Sequence, residues 1–240
     1  MKTFIIEVLY PEFNNLYGDT GNILYLTKKL EKSPLKIKVI NTFFSETPAF
    51  TSEKVDFLFI APSSEKNQIK QIDKLKKYKT ELKERIESGL ITLATGNALE
   101  IFGEYIILPD ESKCEALGIF PIYAKRFDKL RYNDLSLGKY KDIDIVGYKN
   151  QLSHSYLTGD FDKEFLQMTR GSGFNPDVKT EGINVNNFFA SYLLGPILPI
   201  NPIFTEEILK NYLGDDYIQN DLPFEKEAYK QRLSELKSVN

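Results

Sequence analysis

Short β-rich runs alternate with helical patterns through the first hundred residues, and few architectures accept that order. Residues 4–9 form an apolar run, residues 21–31 carry Ile23, Leu26 and Leu30 on one helical face, and residues 37–40 and 57–60 return to apolar β runs. This order predicts a parallel sheet flanked by helices, because parallel neighbours need a crossover connection. Residues 65–88 place Ile69, Ile72, Leu75, Leu82 and Ile86 near a helical period among Lys and Glu, which predicts one surface helix covering the sheet. Residues 90–94 predict a further strand, followed directly by Thr95, Gly96 and Asn97 and by a helical stretch over 98–102 that Gly103 ends. Residues 104–144 mix short strands with Pro and Gly. Residues 143–148 and 188–194 read as later strands, and helical patterns over 205–212 and 225–236 close the chain. No repeat, low-complexity stretch or linker divides it, so a single domain over residues 1–240 is expected.

Composition narrows the function classes. The net charge is −3 and the lysines are dispersed along polar helical faces, which argues against a nucleic-acid partner. The apolar segment 3–10 is too short to span a bilayer and lacks the basic start and small-residue cleavage site of a signal peptide, so a cytoplasmic protein without membrane insertion is expected. The single cysteine, Cys114, excludes an internal disulfide framework. With only one histidine, His154, no Cys/His cluster is available for structural zinc. A Cys–His catalytic pair would have to use those two residues. No cofactor or metal is expected.

Other motifs have plain structural readings. Gly18 and Gly21 precede a helix, but the P-loop spacing and its Lys-Ser/Thr pair are missing, so residues 14–22 read as a turn with Asp19 or Thr20 as the helix cap. Gly171, Ser172, Gly173, Phe174 and Asn175 read as a turn. Cys114 has acidic neighbours, which do not stabilise a thiolate, and His154 reads as a loop histidine. Phe188, Phe189 and Tyr192 are expected in the core.

Four stretches, in order, carry a resemblance. Residues 9–22 (LYPEFNNLYGDTGN), 56–60 (DFLFI) leading to Gln68, 93–103 (LATGNALEIFG) and 192–202 (YLLGPILPINP) resemble the class I glutamine amidotransferases. The similarity is greatest to the glutaminase subunits of lipid II isoglutaminyl synthases and their cobyric-acid-synthase-like relatives. The first stretch is the most specific, against "LYP…NLYGDxGN"; the third parallels the nucleophile turn "AICGGYQLLG" and the fourth "YLHGPLLPKNP". The resemblance implies a flavodoxin-like, three-layer α/β sandwich with a mostly parallel sheet and the site at the carboxyl ends of its strands.

In that family a cysteine on a strained strand-to-helix turn attacks the amide, and a histidine after a later strand takes the proton. Carried over, the cysteine falls on Gly96 and the histidine on Leu194, and the glycine-rich loop beside them becomes Ala61, Pro62 and Ser63. Pro62 has no N–H to offer. The expected vestigial site is therefore Ser63, Thr95, Gly96, Asn97 and Leu194. The resemblance implies an amidotransferase-like subunit without the glutaminase machinery, acting as a binding or regulatory partner of a Mur-ligase-like protein in lipid II amidation. Two rivals stand beside it. One is an active glutamine amidotransferase or other hydrolase with a rearranged site, using Cys114 and His154 or with Thr95 or Asn97 at the apex of the turn; the other is a small-molecule binder using the emptied pocket.

Overall fold

The computed structural model describes residues 2–238. In chain order it contains β1 (Lys2–Leu9), α1 (Thr20–Leu30), β2 (Leu35–Thr42), β3 (Phe57–Ile60), α2 (Glu65–Leu75), α3 (Lys79–Glu87) and β4 (Ile91–Thr95). There follow a 3-10 segment (Gly96–Phe102), β5 (Tyr105–Ile107), β6 (Lys113–Glu115), β7 (Ile122–Arg126), β8 (Tyr132–Tyr140), β9 (Ile143–Gln151) and β10 (Ser153–Leu157). The chain closes with β11 (Glu164–Arg170), β12 (Thr180–Val185), β13 (Phe188–Ser191), α4 (Ile197–Ile200), α5 (Pro202–Leu213) and α6 (Glu225–Ser238).

A nine-stranded sheet runs β2-β1-β3-β4-β13-β12-β11-β8-β9. The pairs β1/β2, β1/β3, β3/β4 and β4/β13 are parallel, and the pairs from β13 onward are antiparallel. The α/β fold is as expected, but the sheet is mixed rather than mostly parallel: a parallel half is extended by an antiparallel half with as many strand pairs. The four-residue run of β3 is buried throughout because helices cover both faces: Leu58 and Ile60 join one apolar cluster, Phe57 and Phe59 the other. The same period-two division places Phe188 and Ala190 in the first cluster and Phe189 in the second. Phe188, Phe189 and Tyr192 are core residues, as expected.

The helical segment after β3 and the middle of the chain also depart from expectation. Residues 65–88 do not form one helix. A 3-10 turn at Lys76–Tyr78 separates α2 from α3 and brings Arg85 to Phe50, where Nε donates to the carbonyl at 3.0 Å. Short strands within 105–126 and 153–157 also build a second sheet, ordered β10-β7-β5-β6, whose Ile106, Ile122 and Ala124 seal the first cluster.

Helix α1 starts without the expected cap. Neither Asp19 nor Thr20 caps it through its side chain; Asn15 Oδ1 accepts from the Thr20 N–H at 3.0 Å, while the Asp19 carboxylate turns back to the Tyr17 N–H at 3.1 Å. Buried with little else to stabilise its charge, the Asp19 carboxyl is raised to about 6. Asn22, fully buried, accepts from the Leu198 N–H at 2.8 Å and so ties α1 to the segment after β13.

Candidate functional site

The parallel strands β3, β4 and β13 deliver three loops to one end of the sheet: Pro62 and Ser63 after β3, Gly96 after β4, and Leu194 after β13. Gly96 holds φ at +58°, a left-handed conformation that a residue with Cβ adopts only under strain. The space beside it is filled. A Cβ on Gly96 would lie 2.8 Å from Pro62 Cβ and 3.0 Å from Leu194 Cδ2. The structure thus brings the three aligned positions into contact, although they stand far apart in sequence.

Asn97 fixes the loop opposite. Its Oδ1 accepts from the Ser63 N–H at 3.1 Å and its Nδ2 donates to the Ser63 carbonyl at 2.8 Å, so one carboxamide satisfies both main-chain groups of Ser63. A main-chain N–H that could have met a ligand's carbonyl is engaged within the chain. The Thr95 hydroxyl is buried and, among the described residues, has no hydrogen-bond partner, so no base is placed to take its proton.

Beneath the turn lies a buried polar network. Gln68 Nε2 donates to the Asn97 carbonyl and, at 2.9 Å, to Glu100 Oε2. Arg126 from β7 donates to Gln68 Oε1 and to Glu100 at 3.2 Å, and the Tyr192 hydroxyl donates to Glu100 Oε1 at 3.1 Å. Ser155 on β10 meets Tyr192 at 2.7 Å. With these partners the Glu100 carboxylate is compensated, and it acts as a fastener between the turn and the second sheet rather than as a free base. Burial beside Glu100 pushes the Tyr192 phenol well above its ordinary value. A parallel network anchors the 171–175 turn: Lys149 Nζ donates to the carbonyls of Ser172 and Gly173 and to Glu181, at 2.8, 2.6 and 2.6 Å.

Above the turn opens a cavity of about 150 Å³ lined by Gly96, Asn97, Ser63 and Leu194 together with Tyr17, Arg131 and Gln151. Arg131 donates to Asn150 Oδ1 at 2.6 Å, and Gln151 Oε1 is buried without a partner among the described residues. The sequence singled out Ser63, Gly96, Asn97 and Leu194 but missed Arg131, Gln151 and the Glu100–Arg126 pair. A lone Glu100 inside the apolar run 98–102 was the one available signal.

The Cys114/His154 alternative is corrected by strand register. Cys114 pairs with Ile106, Ile106 with Ala124 and Ala124 with Ser155, so Cys114 points to the inner face of the second sheet. His154 pairs with Lys125 on the outer face, packed on Tyr132 at 4.0 Å. The two residues lie on opposite faces of edge strands three strand spacings apart, roughly 14 Å at the usual separation. They form no dyad. Burial pushes the Cys114 thiol up and the His154 imidazole down, the reverse of an activated pair.

The fold and this strand–turn–helix site define the chain as a glutamine amidotransferase-like protein. In solved structures it is similar to a glutamine amidotransferase (TM-score 0.53, 14% identity, covering 85% of this chain and 97% of that one) and to PurLQS from Thermotoga maritima (TM-score 0.50, 12% identity, 98% and 100%). The CobB/CobQ-like glutamine amidotransferase domain matches residues 5–202, and the chain belongs to that family. It is 34% identical over 196 residues to lipid II isoglutaminyl synthase (glutamine-hydrolyzing) subunit GatD of Staphylococcus aureus (strain N315), across 82% of this chain and 79% of that protein. To the subunit of the same name from Streptococcus pneumoniae (strain ATCC BAA-255 / R6) it is 27% identical, across 96% and 88%. Among the described residues no helix is long and apolar enough to cross a membrane.

Proposed function

We propose that this chain is an amidotransferase-like subunit that keeps the scaffold, has lost glutamine hydrolysis, and serves as a binding or regulatory partner of a Mur-ligase-like protein in lipid II amidation. The observation that carries the reading is the close approach of Gly96, Pro62 and Leu194, at the positions where the family resemblance implies a thiol, a loop N–H and an imidazole. Removing members of such a unit costs on the order of 10⁴-fold or more in rate, because its parts act together. Each of the two relatives is named as a subunit of a synthase, which supports a partner chain; its Mur-ligase-like character is what the family resemblance implies.

The test is ammonia release from glutamine by the purified protein, alone and with a co-expressed Mur-ligase-like protein, beside an active class I glutaminase. Release indistinguishable from buffer, with co-elution of the two chains, is the expected result. Turnover above buffer defeats the loss of hydrolysis, and separate elution defeats the partnership.

A second reading, ligand binding without turnover, is favoured by the cavity over the turn and its unpartnered Gln151 Oε1. A ligand there would present an N–H or O–H to Gln151. Glutamine, asparagine and their carboxylic acids, titrated calorimetrically, test it; heat that survives Gln151→Leu unchanged argues against it.

A further inference from the structure

A second and larger cavity adjoins the turn but is not part of it. It encloses about 430 Å³ between the β8–β9 pair and α6, lined by Leu135, Gly147, Tyr148, Ile200, Arg232 and Leu236, with Arg170, Gly195 and Glu235 completing the wall. Its volume falls in the usual range for small-molecule sites, and its surface is predominantly apolar. Leu194 lines the first cavity and Gly195 the second, while Tyr17 of the first meets Tyr148 of the second edge-on at 6.2 Å, so the two share one wall.

The polar groups decide what such a cavity takes. Residues 232, 235 and 236 fall at i, i+3 and i+4 on α6, which turns one guanidinium, one carboxylate and one leucine toward the opening. Glu235 already accepts from Gln231 at 3.1 Å, and Arg170 donates to the Leu236 carbonyl at 3.1 Å. Among the described residues Arg232 makes no hydrogen bond or ion pair. Leu135, on β8 beside Tyr148, is 60% exposed although apolar. With Glu235 engaged by Gln231, the unpaired guanidinium of Arg232 beside an apolar hollow is complementary to a carboxylate with an aliphatic tail.

We propose that this cavity binds a medium-chain aliphatic carboxylate, its head on Arg232 and its tail against Leu135, Ile200 and Leu236. The head takes two parallel N–H···O bonds from the guanidinium, and the tail leaves water for the hollow. The site is distinct from the glycine turn, so the inference does not depend on whether the chain hydrolyses glutamine.

Calorimetric titration of the whole chain with hexanoate, octanoate, octanol and acetate tests it. Affinity is expected to rise roughly fourfold for each added methylene, with acetate silent and octanol weaker than octanoate. Arg232→Gln is expected to weaken octanoate about tenfold while leaving octanol nearly unchanged, as fits loss of a charge-assisted hydrogen bond. Leu135→Asp is expected to abolish binding of both. Both substituted residues are exposed, and the thermal midpoint of each variant is measured beforehand to establish that it is folded. Absence of octanoate binding at millimolar concentration overturns the proposal. So does binding that is independent of chain length, or octanoate affinity unchanged in Arg232→Gln.

Discussion

Gly96→Ala is the most direct probe of the turn. The new methyl would lie 2.8 Å from Pro62 Cβ and 3.0 Å from Leu194 Cδ2, and the backbone would have to keep φ at +58°. A left-handed conformation costs a residue with Cβ roughly 1–2 kcal/mol, and overpacking of a close-packed site adds about 1–3 kcal/mol. The expected loss is therefore about 2–5 kcal/mol, or roughly 4–20 °C in thermal midpoint for a chain of this length. Thermal and urea unfolding measure it directly. The partner experiment separates the two causes: Leu194→Ala alone should cost about 2–5 kcal/mol as a buried leucine, but it also clears one of the two obstructions. In that background Gly96→Ala should cost about 1–2 kcal/mol less than in the parent, a coupling expected of residues in contact. A Gly96→Ala midpoint within about 2 °C of the parent, or a double variant that is simply additive, would refute the steric account of the turn.

Two further outcomes follow from buried charge. Lys149→Met should cost about 3–5 kcal/mol in urea unfolding, because Glu181 would stay buried with its cation gone; a smaller loss in the double variant with Glu181→Leu would assign the cost to the stranded carboxylate. Asp19 has a folded value of about 6 against an ordinary 3.8, so the folded state binds the proton more tightly. Stability from that proton is complete below the unfolded value and falls away as pH rises toward and through 6, by roughly 3 kcal/mol at most. Asp19→Asn should therefore match the parent near pH 4 and exceed it near pH 8 in denaturant titrations at both values. Equal differences at the two pH values would contradict it.

The parts of the fold that repeat locally were legible in the sequence. Ile23, Leu26 and Leu30 announced α1, and the apolar run before Thr95 announced both the strand and the turn that follows. The turn was readable because its strand, tight apex and helix are contiguous. What escaped depends on distant partners. The break at Lys76–Tyr78 carries no Gly or Pro, and the contact of α3 with Phe50 is tertiary. The network joining Gln68, Glu100, Arg126 and Tyr192 draws on four separate segments, and the second sheet is assembled from strands of three to five residues. Asn97 looked like part of the turn's apex; only the fold shows its carboxamide closing on Ser63.

The occupied space at Gly96 couples the substitutions that the turn can accept. A thiol at this position gains nothing while Pro62 and Leu194 press on it, and an imidazole at Leu194 has no thiol to activate while position 96 is glycine. Any larger side chain at this turn therefore needs concerted replacement at positions 62, 96 and 194, because the side chains of Pro62 and Leu194 jointly set the space that position 96 can use.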